Sequence, residues 1–162
     1  MIKRIGRLDN GEQVSVELIN NKGLIVSRTL TGDDTEFSIY DDLNRLIKVY
    51  NHSGFWCTYE YNADGTIECD SEGNSKTLLP RAYMTDTEGD KVTKILCSKE
   101  HGIVTETEVN GNLTNFKTEG LDVGFIYGLD GRLESKLNMD GQLITYEYID
   151  ISIIKGGNVI ED

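Results

Sequence analysis

The stretch Gly54-Phe55-Trp56-Cys57-Thr58-Tyr59-Glu60-Tyr61-Asn62-Ala63-Asp64-Gly65 decides the fold of this chain. Aromatic and β-branched residues alternate along it, and it ends on Asp-Gly, a pair that tolerates positive φ in a tight turn. A half-buried strand running into a hairpin is the physical content of such a pattern. Gln142-Leu143-Ile144-Thr145-Tyr146-Glu147-Tyr148 reads the same way, and Phe37 with Ile39 and Thr105 with Thr107 and Val109 also alternate at period two.

Along the rest of the chain, turn glycines recur at Gly23, Gly65, Gly89, Gly111 and Gly131, with Asn44 where one more would fall. The steps are 21, 21, 24, 22 and 20 residues, and each site is followed within three residues by Leu24, Leu46, Ile67, Val92, Leu113 or Leu133. Further turns fall between them at Gly11, Gly54, Gly73, Gly102, Gly120 and Gly141. Short strands joined by turns every ~10 residues predict an all-β chain. The expectation is about seven antiparallel hairpins forming a twisted sheet, an open barrel-like wrap or a sandwich. Leu24, Leu46, Ile67, Leu113 and Leu133, with alternate strand aromatics, are its expected core. The organisation expected is a single all-β repeat domain over residues 1–154 with a flexible tail at 155–162. Two segments also fit short helices, because Leu43, Leu46, Ile47 and Tyr50, and likewise Val92, Ile95, Leu96 and Lys99, have helical spacing. Residues 72–90, with the only proline, Pro80, show the weakest periodicity and read as a long loop or irregular join.

Composition bounds the class. The chain has 162 residues, 28 acidic against 16 basic, and a net charge of −12. Residues 1–81 carry 9 basic and 13 acidic side chains and residues 82–162 carry 7 and 15, so the second half is twice as negative. Lys3, Arg4 and Arg7 form the only basic cluster. Such a balance argues against direct nucleic-acid binding, which needs clustered Lys and Arg. No apolar run approaches the length of a membrane span, and the basic start has no apolar region behind it, so neither membrane nor secretory signal is expected. Three cysteines, Cys57, Cys69 and Cys97, fit neither a disulfide framework nor a zinc site. They read as buried or half-buried free thiols in a reducing cytoplasm.

Tyr40-Asp41-Asp42-Leu43-Asn44-Arg45-Leu46, continuing to Thr58-Tyr59-Glu60-Tyr61-Asn62, resembles the YD repeat of Rhs-type proteins. A second copy runs Tyr127-Gly128-Leu129-Asp130-Gly131-Arg132-Leu133 to Thr145-Tyr146-Glu147-Tyr148. The two copies occupy residues 40–67 and 127–150. Tyr40 to Asn44 and Tyr127 to Gly131 are each four apart, while Asn44 to Tyr61 and Gly131 to Tyr148 are each seventeen. Asn44 stands for the turn glycine and Gly128 for the Asp. The resemblance implies stacked β-hairpins with tyrosines packed between neighbours. Long arrays in that family are understood to form shells around cargo, a role about seven units are too few to fill.

No nucleophile elbow, zinc-protease helix, P-loop or dinucleotide fingerprint is present. Both imidazoles, His52 and His101, fall in turns. A pairing of Cys57 with His52 has no orienting group at recognisable spacing. Asp86-Thr87-Glu88-Gly89-Asp90 is the densest acidic turn but lacks the spacing of a calcium loop. No metal, cofactor or catalytic residue is assigned, and a non-enzymatic role is expected. Among the aromatics, Trp56 falls on the strand face opposite the expected core, as a platform for a protein or a sugar. A cytoplasmic acidic module covering a basic protein is therefore expected. Its most concrete form is an immunity or inhibitor protein against a nuclease toxin, with Trp56, Asp86, Glu88, Asp90, Glu106, Glu108, Asp122 and Asp130 at the interface. The alternative is a structural or glycan-binding repeat module of a larger surface or phage assembly.

Overall fold

The computed structural model describes residues 1–63, 65–78, 83–98, 102–138, 140–151, 153–155 and 158–160. Strands are β1 (Ile2–Arg7), β2 (Gln13–Ile19), β3 (Ile25–Leu30), β4 (Glu36–Tyr40), β5 (Leu46–Tyr50), β6 (Trp56–Asn62), β7 (Gly65–Asp70) and β8 (Ser75–Leu78). They continue as β9 (Met84–Glu88), β10 (Lys91–Ser98), β11 (Gly102–Val109), β12 (Asn112–Thr118), β13 (Leu121–Tyr127), β14 (Leu133–Leu137) and β15 (Leu143–Asp150). These fifteen form one open antiparallel sheet in the order β8-β7-β6-β5-β4-β3-β2-β1-β15-β14-β13-β12-β11-β10-β9. β16 (Ile153–Lys155) and β17 (Asn158–Ile160) pair separately. The all-β expectation holds, and no helix occurs among the described residues. The chain divides into two compact units, Met1–Arg7 with Glu12–Pro80 and Glu147–Asp162, and Leu8–Gly11 with Arg81–Tyr146.

Two turn chemistries join the strands. In the first, an Asx side chain caps a five-residue loop. Asn20, Asp41, Asn51 and Asp70 each accept the backbone N–H groups two and four residues on through Oδ1, at 2.9–3.1 Å. The fourth residue of each loop takes positive φ, at Gly23 (79°), Asn44 (61°), Gly54 (99°) and Gly73 (87°). The backbone closes alike at Gly128–Arg132 and Asn138–Gln142, where Asp130 and Asp140 accept the N–H two residues on. A short carboxylate or amide reaches its own downstream amides without strain, which is why Asx opens these loops. The second chemistry is a two-residue loop, as at Asn110-Gly111, where both residues have positive φ (52° and 81°) between the paired Val109 and Asn112. All six residues of the sequence register therefore adopt positive φ, although they belong to different turns. Gly65 departs further, since it opens β7 opposite Asn62. With φ +142°, a Cβ there would lie 2.6 Å from the Leu78 carbonyl oxygen.

Three expectations change. The segments with helical spacing are strands. Ile47 and Tyr50 lie in β5 and Val92, Ile95 and Leu96 in β10, whose eight residues all pair with β11, while Lys99 lies outside the described residues. Residues 72–90 hold β8 and β9, with Pro80 outside the described residues. Every residue of these two terminal strands is exposed, so neither face had to be apolar and the alternation vanished. The third change concerns the core. Leu24, Leu46, Ile67, Leu113 and Leu133 are half-buried, whereas Ile5, Val49, Cys57, Val104 and Val123 are buried. Leu46, Ile67, Leu113 and Leu133 lie in strands flanked on both sides just as the buried five do, so neither nearness to a turn nor a flanked strand sets burial.

Candidate functional site

The seven acids singled out by sequence all lie in the second unit, and the ladder register sorts them by face. Asp86 pairs with Thr93, Thr93 with Thr107 and Thr107 with Asn115, while Asp122 pairs with Lys117 two residues on. Asp86, Glu88 and Asp122 therefore share one face. Glu106 and Glu108 project from the other, where Glu108 takes an ion pair from Lys94 at 3.1 Å and Glu106 accepts the Tyr83 hydroxyl at 3.2 Å. Lys94 Nζ also lies 5.9 Å from the Tyr83 ring centre. Asp90 sits in the loop between β9 and β10, where its carbonyl accepts the Asn110 N–H, and Asp130 caps a turn. The interface expected from sequence is thus split between two faces and the turns.

On the face of Asp86, Glu88 and Asp122, the register also places Met84, Ile103, Ile126 and Leu137. These are 75%, 62%, 52% and 44% exposed, an unusual apolar display for strand residues. Glu88 stands opposite Lys91 and Asp122 opposite Lys117, whereas Asp86 faces only Thr93. A cleft of about 330 Å³ beside Ile103 is lined by Thr105, Lys117 and Glu119.

Trp56 belongs to the first unit and is 40% exposed. It ends a cross-strand row in which Leu18, Ser27, Phe37, Tyr50 and Trp56 pair in succession over β2–β6. The Phe37 and Tyr50 rings stack at 5.3 Å, and His52 meets the Phe37 edge at 5.1 Å. Cys57, Tyr59 and Tyr61 point the opposite way, and Cys57 is buried. His52 and Cys57 consequently lie on opposite faces and do not meet; His101 lies outside the described residues. Cys69 is half-buried as expected, but Cys97 is exposed, because β10 turns it to the same face as Met84.

A charged cluster not anticipated from the sequence lies on the reverse side of the Trp56 row. Arg4, Glu17 and Arg28 stand directly opposite one another on β1, β2 and β3. Glu17 is 4% exposed, yet both its oxygens are paired, Oε1 with Arg4 at 2.8 Å and Oε2 with Arg28 at 2.9 Å. Burial works against the Arg4 charge, but Glu17 and the Tyr148 hydroxyl outweigh it and hold the guanidinium above its ordinary pKa. Further along that face Tyr59 is pushed well above the ordinary phenol range, by burial first and then by Cys57, Glu68 and Glu36. The signal for the cluster was faint. Each charge sits mid-strand at an alternating position, and only the register reveals that they coincide.

Among the described residues no group of three or more His, Cys, Asp or Glu side chains is arranged to hold a metal ion. No helix among them is long and apolar enough to cross a membrane. No protein-family model matches the chain, and no curated protein matches it either.

Proposed function

We propose that this chain is a non-enzymatic, acidic protein-binding module that covers a basic partner, in its most concrete form an antagonist of a nuclease toxin or another nucleic-acid-directed enzyme. The observation that supports this best is the face of the second unit where Asp86, Glu88 and Asp122 are interspersed with the exposed Met84, Ile103 and Ile126. Exposed aliphatics among carboxylates suit a partner surface with apolar side chains ringed by Lys and Arg. The charges accelerate encounter and reject wrong partners, while the aliphatics hold the complex together. Affinity capture from the native host should recover a stoichiometric basic protein whose association slows from ~50 to ~300 mM salt as screening sets in. Asp86→Lys with Glu88→Lys should abolish capture, and Met84→Ser should weaken it at every salt concentration. Recovery of no partner, or of one indifferent to both salt and charge reversal, would sink the proposal.

A second function is supported by the tyrosines. Tyr40 donates its hydroxyl to the Ile25 carbonyl at 2.7 Å and Tyr61 to that of Leu46 at 2.6 Å, each fifteen residues back. Arg45 lies 4.7 Å from the Tyr61 ring centre. This repeated joinery suits a structural YD-like module that extends by adding further hairpins, and such a module should self-associate. A sedimentation profile that stays monomeric at high protein concentration would count heavily against it.

A further inference from the structure

We propose that the free edge of β9 receives an extended cationic strand of the partner protein, added antiparallel as a further strand of the sheet. This rests on the protein-binding function proposed above and names the element through which the partner docks. β9 ends the sheet and pairs with β10 alone. The turn between them fixes which backbone groups of β9 are left over. Only Gly89 and Asp90 separate the paired Glu88 and Lys91, and Gly89 takes φ +60°, as the first residue of a two-residue hairpin turn does. Residues flanking such a turn exchange both backbone hydrogen bonds, and bonded pairs then alternate along the ladder. Glu88, Asp86 and Met84 therefore bond inward to Lys91, Thr93 and Ile95, while the N–H and C=O groups of Thr85 and Thr87 turn to the free edge. The far side of β10 agrees. The Asp90 carbonyl accepts the Asn110 N–H, so Asp90 and the even-numbered residues after it serve β11, and the odd-numbered ones serve β9.

Exposed edges are usually blunted by proline, lysine, bulges or very short strands. β9 has no proline or lysine, and its five residues pair with β10 without a bulge. The opposite edge, β8, is four residues long and carries Lys76. Every residue of β9 is exposed, so nothing covers the edge. Its side chains then choose the incoming strand. Two copies of β9 paired antiparallel about Asp86 would set that carboxylate against its own copy, and like charges directly opposite repel. A strand with Lys or Arg opposite Glu88 and Asp86, and an apolar residue opposite Met84, meets both carboxylates and covers the methionine. Asp86 has no ion pair among the described residues, so a cation there displaces nothing. Main-chain bonds to Thr85 and Thr87 supply affinity, and the alternate side chains supply specificity.

The full chain, isotopically labelled for NMR, is titrated with the capped heptapeptide Thr-Lys-Thr-Lys-Thr-Val-Thr. Its lysines fall opposite Glu88 and Asp86 and its valine opposite Met84. At saturation the Thr85 and Thr87 amides should exchange with solvent about tenfold more slowly, while the Asp86 amide, already bonded to β10, stays unchanged. N-methylation of the third and fifth peptide residues, which face Thr87 and Thr85, should abolish binding. N-methylation of the second and fourth, whose N–H groups point away, should be tolerated. Glutamate in place of both lysines should abolish binding as well. Thr87→Pro removes one outward N–H, leaves the β10 ladder whole and should weaken binding about tenfold, with circular dichroism confirming its fold. No binding of the parent peptide at millimolar concentration, or equal binding of the two N-methylated forms, overturns the proposal. So does self-association of the chain that Lys76→Glu disperses, which makes β8 of a second copy the occupant. Capture from the host separates this edge from the function it rests on. A basic protein held equally by the natural chain and by Thr87→Pro overturns the edge and leaves that function standing. Peptide binding that follows the N-methylation pattern, with no basic protein captured, supports the edge and sinks the antagonist.

Discussion

At the scale of single residues, much of the acidity of this chain is turn chemistry. Asp41 and Asp70 are held below the ordinary carboxylate pKa, Asp41 chiefly by the Arg45 backbone N–H and Asp70 chiefly by the Asn74 side chain. Each therefore binds protons more weakly folded than unfolded. The stability they supply is fully present above the unfolded pKa of about 4 and is lost as the pH falls through the lower, folded value. Asn fills the same position at Asn20 and Asn51, so Asp41→Asn with Asp70→Asn should fold at neutral pH and lose less stability on acidification; urea titrations at successive pH values measure this. Asn51→Ala removes the acceptor of the Ser53 and Phe55 amides and should cost about 1–2 kcal/mol by the same method. Glycines are not equal either. Gly141→Ala meets open space at φ +81° and should cost about 1 kcal/mol, whereas Gly65→Ala strikes the Leu78 carbonyl and should cost about 2–4 kcal/mol. Similar losses for the two would refute the packing attributed to Gly65.

At the scale of strands, the Arg4–Glu17–Arg28 cluster fixes how β1, β2 and β3 align. A one-residue slip of β2 would carry Glu17 to the other face, away from Arg4 and Arg28. Glu17→Leu takes the carboxylate away from the half-buried Arg4 and should cost about 3–5 kcal/mol. Adding Arg4→Met and Arg28→Met should recover much of that loss, at the expense of a less uniquely folded sheet by NMR. Strands were legible in the sequence wherever one face had to be drier than the other, as in β6 and β15. The positive-φ turns were legible because Gly and Asn are the residues that accept that conformation. The terminal strands β8 and β9 were not, since strands exposed on both faces need no alternation. The buried residues were also missed, because spacing to the nearest turn does not set which side chains the fold covers. Nor does spacing show facing: Asp86 and Glu106 look like one acidic region in sequence but belong to opposite faces.

At the scale of the whole molecule, the gradient of charge along the chain dissolves on folding. The first unit holds 16 acidic and 9 basic residues, a net of −7, and the second 12 and 7, a net of −5, because the acids from Glu147 onward belong with the first. Per residue the two are nearly equal. Charge this evenly spread repels itself, so the melting temperature at neutral pH should rise as sodium chloride goes from ~20 to ~500 mM, while the little-screened Glu17 cluster stays intact. A fall would show that surface ion pairs outweigh the repulsion. Apart from the junction of β1 with β15, every neighbouring pair in the large sheet consists of strands consecutive in the chain. The Ile151 N–H donates to the Met1 carbonyl and Arg7 meets Glu147 there. Hairpins between consecutive strands close short loops and form early, whereas this junction spans most of the chain and carries a large entropy of closure. During synthesis β15 emerges only after every strand that separates it from β1 in the chain, so this one seam waits on the translation of all of them while each hairpin waits only on its neighbour.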